Sequence, residues 1–238
     1  MVTWKGSKKT LRYGQSPSYV HTMLLRFGVY LCIFGVVTQT TSACTPCSSQ
    51  CSCTLKSGTT DECEVDCREN GFKTLPTAAE LPSTGSWKIV KLDLSSNEIE
   101  EVPRSNISFL TNLQELSLRG NNISSIEHST FDDLELLETL DLSSNRISNF
   151  DNNFFKSSKN IIKHLNISHL QLTTLEENFL KDLQYLETLD LSYNQLTSVT
   201  ASHMVTSIEQ LDLTGNQIST MNHNVLDQLP NLQNMQVV

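Results

Sequence analysis

The chain has 238 residues, 38% of them hydrophobic, and carries 26 acidic against 17 basic side chains, a formal net charge of −9. That balance argues against nucleic acid and anionic membrane surfaces as partners, and mildly in favour of basic ones. Its plainer role is to keep a long molecule soluble.

The chain opens with a polar, basic stretch holding Lys5, Lys8, Lys9 and Arg12, and a second methionine, Met23, is followed closely by Arg26. Residues 27–37, FGVYLCIFGVV, are apolar. This run is too short to span a bilayer, which takes about 20 residues, but has the length of a signal-peptide core. Thr41, Ser42 and Ala43 then supply the small residues of a cleavage site. Residues 1–43 are therefore expected to be a signal peptide, with initiation at Met1 or Met23 and a mature chain starting at Cys44. The competing reading of the apolar run is a buried edge strand. Loss of the leader leaves 12 basic against 26 acidic residues, a balance of −14. No later apolar run is long enough for a membrane helix, and no lipid-attachment tail ends the chain. A secreted location is expected, or a cell-surface one if the protein continues beyond Val238.

Six cysteines remain after the leader: Cys44, Cys47, Cys51, Cys53, Cys63 and Cys67, all within one short segment. In a secreted chain they form a knot of three disulfides, for which fifteen pairings exist. Zinc is the competing use of CTPC and CSC, and the leader favours disulfides. Residues 44–88 are expected to be a small cap, stapled because it has little core of its own.

From residue 89 one pattern recurs: L-x-x-L-x-L-x-x-N-x-L-x-x-L. Its fullest copy is Leu137, Leu140, Leu142, Asn145, Ile147 and Phe150. The asparagines at 97, 121, 145, 194 and 216 are spaced by 24, 24, 49 and 22 residues, the third interval holding two copies. Six copies fill residues 89–231, and a truncated seventh opens at 232–238. In each copy L-x-L sits on a short strand, leucines inward and the intervening residue outward. One copy cannot bury its leucines alone, so successive copies must stack around a shared core. A second inward column is expected at Ile107, Phe131, Phe155, Leu180, Met204 and Leu226. An inward asparagine must be hydrogen-bonded, and it can bridge backbone groups of adjacent turns. The fourth copy has Leu170 at that position, so one rung should be missing and the turn looser. The last strand begins with nothing after it, an open end expected to associate end to end or to mark a fragment.

The repeat matches the leucine-rich-repeat signature. Together with Cys47-SSQ-Cys51-S-Cys53 and Cys67-RENG-Phe72-KT-Leu75-Pro76, it resembles capped extracellular leucine-rich-repeat proteins: Toll-like receptors, Slit-type guidance proteins and variable lymphocyte receptors. The resemblance covers essentially the whole mature chain. It implies an α/β solenoid, a horseshoe with a parallel β-sheet on its concave face and short helical or irregular convex segments. It also implies the pairs Cys47–Cys53 and Cys51–Cys67, leaving Cys44 to Cys63. The implied function is extracellular protein binding in immune recognition or cell guidance and adhesion; the competing readings are a structural or matrix solenoid without a specific pocket, and a fragment of a Toll-like receptor.

Three N-x-S sequons stand at Asn106, Asn122 and Asn166, and the leader would supply their route to glycosylation. Asn166 lies between two inward residues and must point outward from the strand, so a glycan there would cover the middle of the binding face. The candidate concave residues are Lys91, Asp93, Glu115, Arg119, Asp141, His164, Asp190, Tyr193 and Asp212. Asp93, Asp141, Asp190 and Asp212 belong to the outward column, which reads as an acidic trough steering a basic protein or peptide. The competing reading is that L-D-L-S-x-N is the solvated consensus of the repeat, since Tyr193 is the one aromatic residue there of the type that dominates binding energy. His164 and His169 are about 16 Å apart at ~3.3 Å per residue, too far to share a metal. No nucleophile elbow, zinc-protease motif or phosphate loop is present. The chain thus reads as a non-enzymatic module without cofactor, metal or membrane span.

Overall fold

The structure, a computed structural model, describes Cys44, residues 50–81, 87–150, 154–155, 161–221 and 224–237, and four residues within the expected leader. The chain divides into two units, Met1–Thr41 and Ser42–Val238. In the first, β1 (Cys32–Ile33) pairs antiparallel with β2 (Val36–Val37). The rest of the expected leader and the cleavage residues Thr41, Ser42 and Ala43 lie outside the described residues. Among the described residues, no helix is long and apolar enough to cross a membrane.

The second unit is a coil with one nine-stranded sheet. Its strands are β3 (Ser52–Leu55), β4 (Glu62–Asp66), β5 (Lys88–Asp93), β6 (Glu115–Ser117), β7 (Thr139–Asp141), β8 (His164–Asn166), β9 (Thr188–Asp190), β11 (Gln210–Asp212) and β13 (Asn234–Gln236). They lie side by side in chain order, each parallel to the next except the β3–β4 hairpin. Register is exact in the repeat, with Leu92, Leu116, Leu140, Leu165, Leu189 and Leu211 in one row. A second, two-stranded parallel sheet joins β10 (Ser198–Val199) to β12 (Thr220–Met221). Among the described residues the returns hold 3-10 turns at Arg104–Asn106 and Ala201–His203 and one short helix, α1 (Asn224–Asp227). Parallel neighbours require a crossover, and the shortness of these segments lets 24 residues complete one.

The repeat leucines form one continuous core. Leu94, Leu113, Leu118, Leu137, Leu142, Leu186 and Leu191 are fully buried. The convex column holds at Ile107, Phe131, Phe155, Leu180 and Met204. It fails at Leu226, which is 53% exposed, while Val225 is fully buried in its place. Residue 225 lies in α1, whose helical turn sets the inward direction one position earlier than the loop count does. Phe150, Phe154 and Phe179 extend this layer: Phe150 meets Phe154 edge-on at 4.9 Å and stacks on Phe179 at 6.1 Å.

The asparagines tie successive turns together. Asn121 donates from Nδ2 to the carbonyls of Leu94 (3.0 Å) and Leu118 (2.8 Å) and accepts the Ile99 amide. Asn145 does the same with Leu118, Leu142 and the Ile123 amide, and Asn216 with Leu191, Leu213 and the Leu196 amide. Asn194 accepts two amides, those of Leu170 and Leu172. At the fourth copy the rung is absent: Leu170 is fully buried, and among the described residues the Ile147 amide finds no side-chain acceptor.

Asn97 ties the first turn to the cysteine segment, donating to the Cys67 carbonyl at 3.0 Å and accepting the Asn70 and Phe72 amides. Cys44 is bonded to Cys63 and Cys51 to Cys67. Cys53 is also disulfide-bonded; Cys47 lies outside the described residues.

Candidate functional site

The open face of the sheet carries the residues between the inward leucines. Their column is not only a solvated one. Asp93, Asp141, Asp190 and Asp212 each accept the amide two residues on, from Ser95, Ser143, Ser192 and Thr214, at 2.8–3.0 Å. Asn166 accepts the Ser168 amide in the same way. These short-range bonds are Asx turns that lead the backbone out of the strand. The acid in L-D-L-S thus has a local structural task, performed by one oxygen.

The second oxygen and the flanking side chains set the field of the face, and they differ along it. At the cysteine-rich end Arg68 pairs with Asp66 (2.6 Å) and lies 3.5 Å from Asp93. Hydrogen bonding to that guanidinium holds the Asp66 carboxyl below the ordinary carboxylate range and raises Arg68 in turn. Lys91 pairs with Glu115 across β5 and β6, and Lys163 with Glu138 next to β8. The Lys91 ammonium is raised by its bond to Glu115. Arg119 donates to the Ser143 hydroxyl at 3.0 Å, beside the Asp141 turn.

Among the described residues, no lysine or arginine stands in the strand columns beyond β8. Asp190 is in register with Asp212, and Glu187 precedes Thr188 as Glu209 precedes Gln210. Among the described residues none of these four carboxylates makes an ion pair. A shallow depression of about 180 Å³ lies over this patch, lined by Thr188, Asp190, Gln210, Asp212, Asn234 and Gln236.

One row further along, the backbone turns left-handed in every copy. Ser96, Ser144, His169 and Tyr193 have φ of 53° to 56°, and Gly120 and Gly215 take the same conformation. The constraint stacks the side chains of this row. The His169 and Tyr193 rings lie parallel at 4.5 Å, and a Cβ on Gly215 would stand 2.7 Å from the Tyr193 ring. Glycine is therefore needed at 215 both for φ and for space. Tyr193, 56% exposed, is held edge-out between His169 and Gly215. His164 is exposed on β8, apart from this stack.

The structure thus brings Asp190, Asp212 and Tyr193 to one end of the face and Lys91, Asp93 and Glu115 to the other. The sequence pattern did not show the His169–Tyr193 stack, because its partners are 24 residues apart. The signal available was the occurrence of two aromatic rings in one column of adjacent copies. Among the described residues, no group of three or more His, Cys, Asp or Glu could hold a metal ion.

Of the sequon residues, Asn106 donates from Nδ2 to the Leu75 carbonyl at 3.3 Å. Asn122, beyond β6, and Asn166, at the end of β8, are half-buried and make no such bond among the described residues.

Comparison with known proteins agrees with this architecture. No curated protein sequence matches the chain. Among solved structures it resembles TLR13 in the TLR13–ssRNA13 complex, with TM-score 0.62 and 26% identity over 71% of this chain and 24% of that one. It also resembles a leucine-rich-repeat protein of Leptospira interrogans, with TM-score 0.54 and 23% identity over 70% of this chain and 40% of that one. The chain therefore spans well under half the length of either. The leucine rich repeat family model matches three overlapping stretches, residues 88–147, 136–196 and 161–218, which together cover more than half of the chain. By that match and by its stacked parallel turns, the chain belongs to the leucine-rich-repeat family, whose repeats form protein-binding modules.

Proposed function

We propose that the chain is an extracellular recognition module, secreted or the N-terminal part of a receptor or adhesion ectodomain, that binds a basic protein segment over β9 and β11. The observation that carries this reading is the uncompensated patch of Glu187, Asp190, Glu209 and Asp212 beside the exposed Tyr193 edge. Carboxylates recognise arginine by paired charge-assisted hydrogen bonds, and an aromatic residue adds apolar area at low entropic cost. The extracellular assignment is supported by the bonded cysteines of residues 44–67 and by the order of charge, apolar run and small residues in 1–43. Immune recognition and cell guidance are the family contexts into which such a module fits.

The RNA named with TLR13 does not carry over to this chain. A balance of −14 after the leader, and carboxylates on the open sheet, would repel a phosphate backbone. A second reading is favoured by the Asx turns: if the acids serve only the strand exits, the coil is a spacer that holds partners apart without a specific ligand.

Titration with an arginine-rich peptide and with a lysine-rich one of equal charge separates the two readings. The recognition reading expects saturable binding to the arginine peptide, weakened about tenfold by Asp190→Asn with Asp212→Asn and also reduced by Tyr193→Ala. Equal, non-saturating binding of both peptides, indifferent to Tyr193→Ala, would leave the spacer.

A further inference from the structure

We propose that Asn166 carries an N-linked glycan that stands on the open face of the sheet, an inference that rests on the secreted reading above. Asn166 ends β8, in register with Asp141 on one side and Asp190 on the other. Its Oδ1 accepts both the Ser168 amide (3.0 Å) and the Ser168 hydroxyl (2.8 Å). Asp93 makes the same two bonds with Ser95. The strand exit therefore needs one oxygen, which aspartate supplies at Asp66, Asp93, Asp141, Asp190 and Asp212. What asparagine adds at 166 is the amide nitrogen, and among the described residues that nitrogen has no acceptor.

The asparagines of the ladder and Asn106 differ at this atom, whereas Asn122 shares the free nitrogen but stands off the strand. Nδ2 of Asn97, Asn121, Asn145, Asn194 and Asn216 is spent on carbonyls of the same and the preceding turn. That of Asn106 is spent on Leu75. The nitrogen of Asn166 is thus free to carry a substituent without loss of a bond that holds the fold, and the side chain points away from the leucine core.

In the transfer, Nδ2 forms a bond to the anomeric carbon of a lipid-linked oligosaccharide diphosphate. The bond from that carbon to the diphosphate oxygen breaks, the lipid diphosphate leaves with the electron pair, and the amide nitrogen gives up one proton to a base of the transferase. The sugar then divides the face. On one side are the ion-paired turns of β4 to β7, and on the other the uncompensated carboxylates of β9 and β11. A partner would reach the latter from the β13 side.

The test expresses the full chain in eukaryotic secretory cells and removes glycans enzymatically in heavy-oxygen water, which converts each occupied asparagine to labelled aspartate. Peptide mapping is expected to find the label at Asn166, with Asn122 as the internal reference. Ser168→Ala should abolish the label at Asn166 and Ser168→Thr should restore it. Asn166→Asp, which keeps the strand-exit oxygen, should be secreted with one glycan fewer. A labelled Asn122 beside an unlabelled Asn166 would overturn the proposal alone. No label at any sequon, with leader retained and cysteines free, would overturn the secreted reading together with it.

Discussion

The two ends of the open face are built from the same repeat and do opposite things with charge. From β4 to β8 cations stand among the acids: Arg68 pairs with Asp66 and Asp93, Lys91 with Glu115, and Lys163 with Glu138. From β9 onward Asp190 faces Asp212, Glu187 and Glu209 flank them, and no cation among the described residues intervenes. The turns themselves are alike, since Asp93, Asp141, Asp190 and Asp212 all cap a strand exit. The aspartate is thus dictated by the backbone, and the variable is whether a cation stands next to it. Exposed ion pairs contribute at most about 1 kcal/mol to stability. Their unequal placement therefore matters chiefly for the field that a partner meets.

The cysteine-rich end is also held by disulfides, and releasing one of them should give the largest effect. Replacing Cys51 and Cys67 by alanine releases the bridge beneath the hairpin of β3 and β4. Loss of such a staple typically costs 2–5 kcal/mol. Denaturant unfolding of the variant should show that drop. Hydrogen exchange should show β3 to β5 losing protection before β9 and β11, and a uniform loss along the coil would mean the bridge does not seal one end.

Next in size is the asparagine ladder, where one turn is already broken. Asn194→Ala would strand the amides of Leu170 and Leu172 and remove bonds to the Ile167 and Leu191 carbonyls. Each buried group left unpaired costs about 1–3 kcal/mol, so a loss of roughly 2 kcal/mol or more is expected. In the unaltered protein the same logic predicts faster amide exchange at Ile147 than at Ile123, whose amide donates to Asn145. Equal protection of the two amides would show that the Leu170 turn compensates by packing.

Most of this architecture is legible in the chain because its period is local. Leucine at fixed spacing fixes strand, face and neighbour together, and Leu170 announces the missing rung directly. What is not legible arises where a local conformation shifts phase or where two turns meet. Leu226 follows the loop count, but the four residues of α1 rotate Val225 inward instead. Phe154 and Phe179 fill the convex layer by packing across turns, on Phe131 and Phe150, outside the repeat pattern. At the site, the aspartate column is visible, yet its strand-exit bonds are not, because the motif shows the residue and not which atom is spent. The Tyr193 edge depends on the left-handed backbone at 169 and 193 and on the space left by Gly215.

The charge difference itself predicts a kinetic effect of about one order of magnitude. Asp190→Asn with Asp212→Asn should slow association with an arginine-rich peptide roughly tenfold at low salt, and less at 0.15 M salt, where exposed charges beyond ~8 Å are screened. Asp141→Asn, in the turn whose Ser143 hydroxyl accepts from Arg119, should change the rate little. Equal effects of the two substitutions in stopped-flow measurements would show that the face acts as one diffuse field.

The smallest effect concerns the convex side of the same end. His203 closes the 3-10 turn Ala201–His203, and its Nδ1 accepts the Thr200 amide at 3.2 Å, which requires a neutral ring. Burial holds its pKa below the ordinary 6.5, against an opposing pull from Glu177; Asp227 of α1, which packs on this turn, is exposed. A histidine whose folded pKa is depressed binds its proton in the unfolded chain first. Its contribution is therefore complete above about pH 6.5 and declines as pH falls through that value toward the folded pKa. The decline is bounded by the one hydrogen bond at stake, about 1 kcal/mol. Exchange of the Thr200 amide should quicken between pH 7 and pH 5 beyond its intrinsic pH dependence, and His203→Gln should remove that excess. An unchanged excess in the variant would show that His203 is not its source.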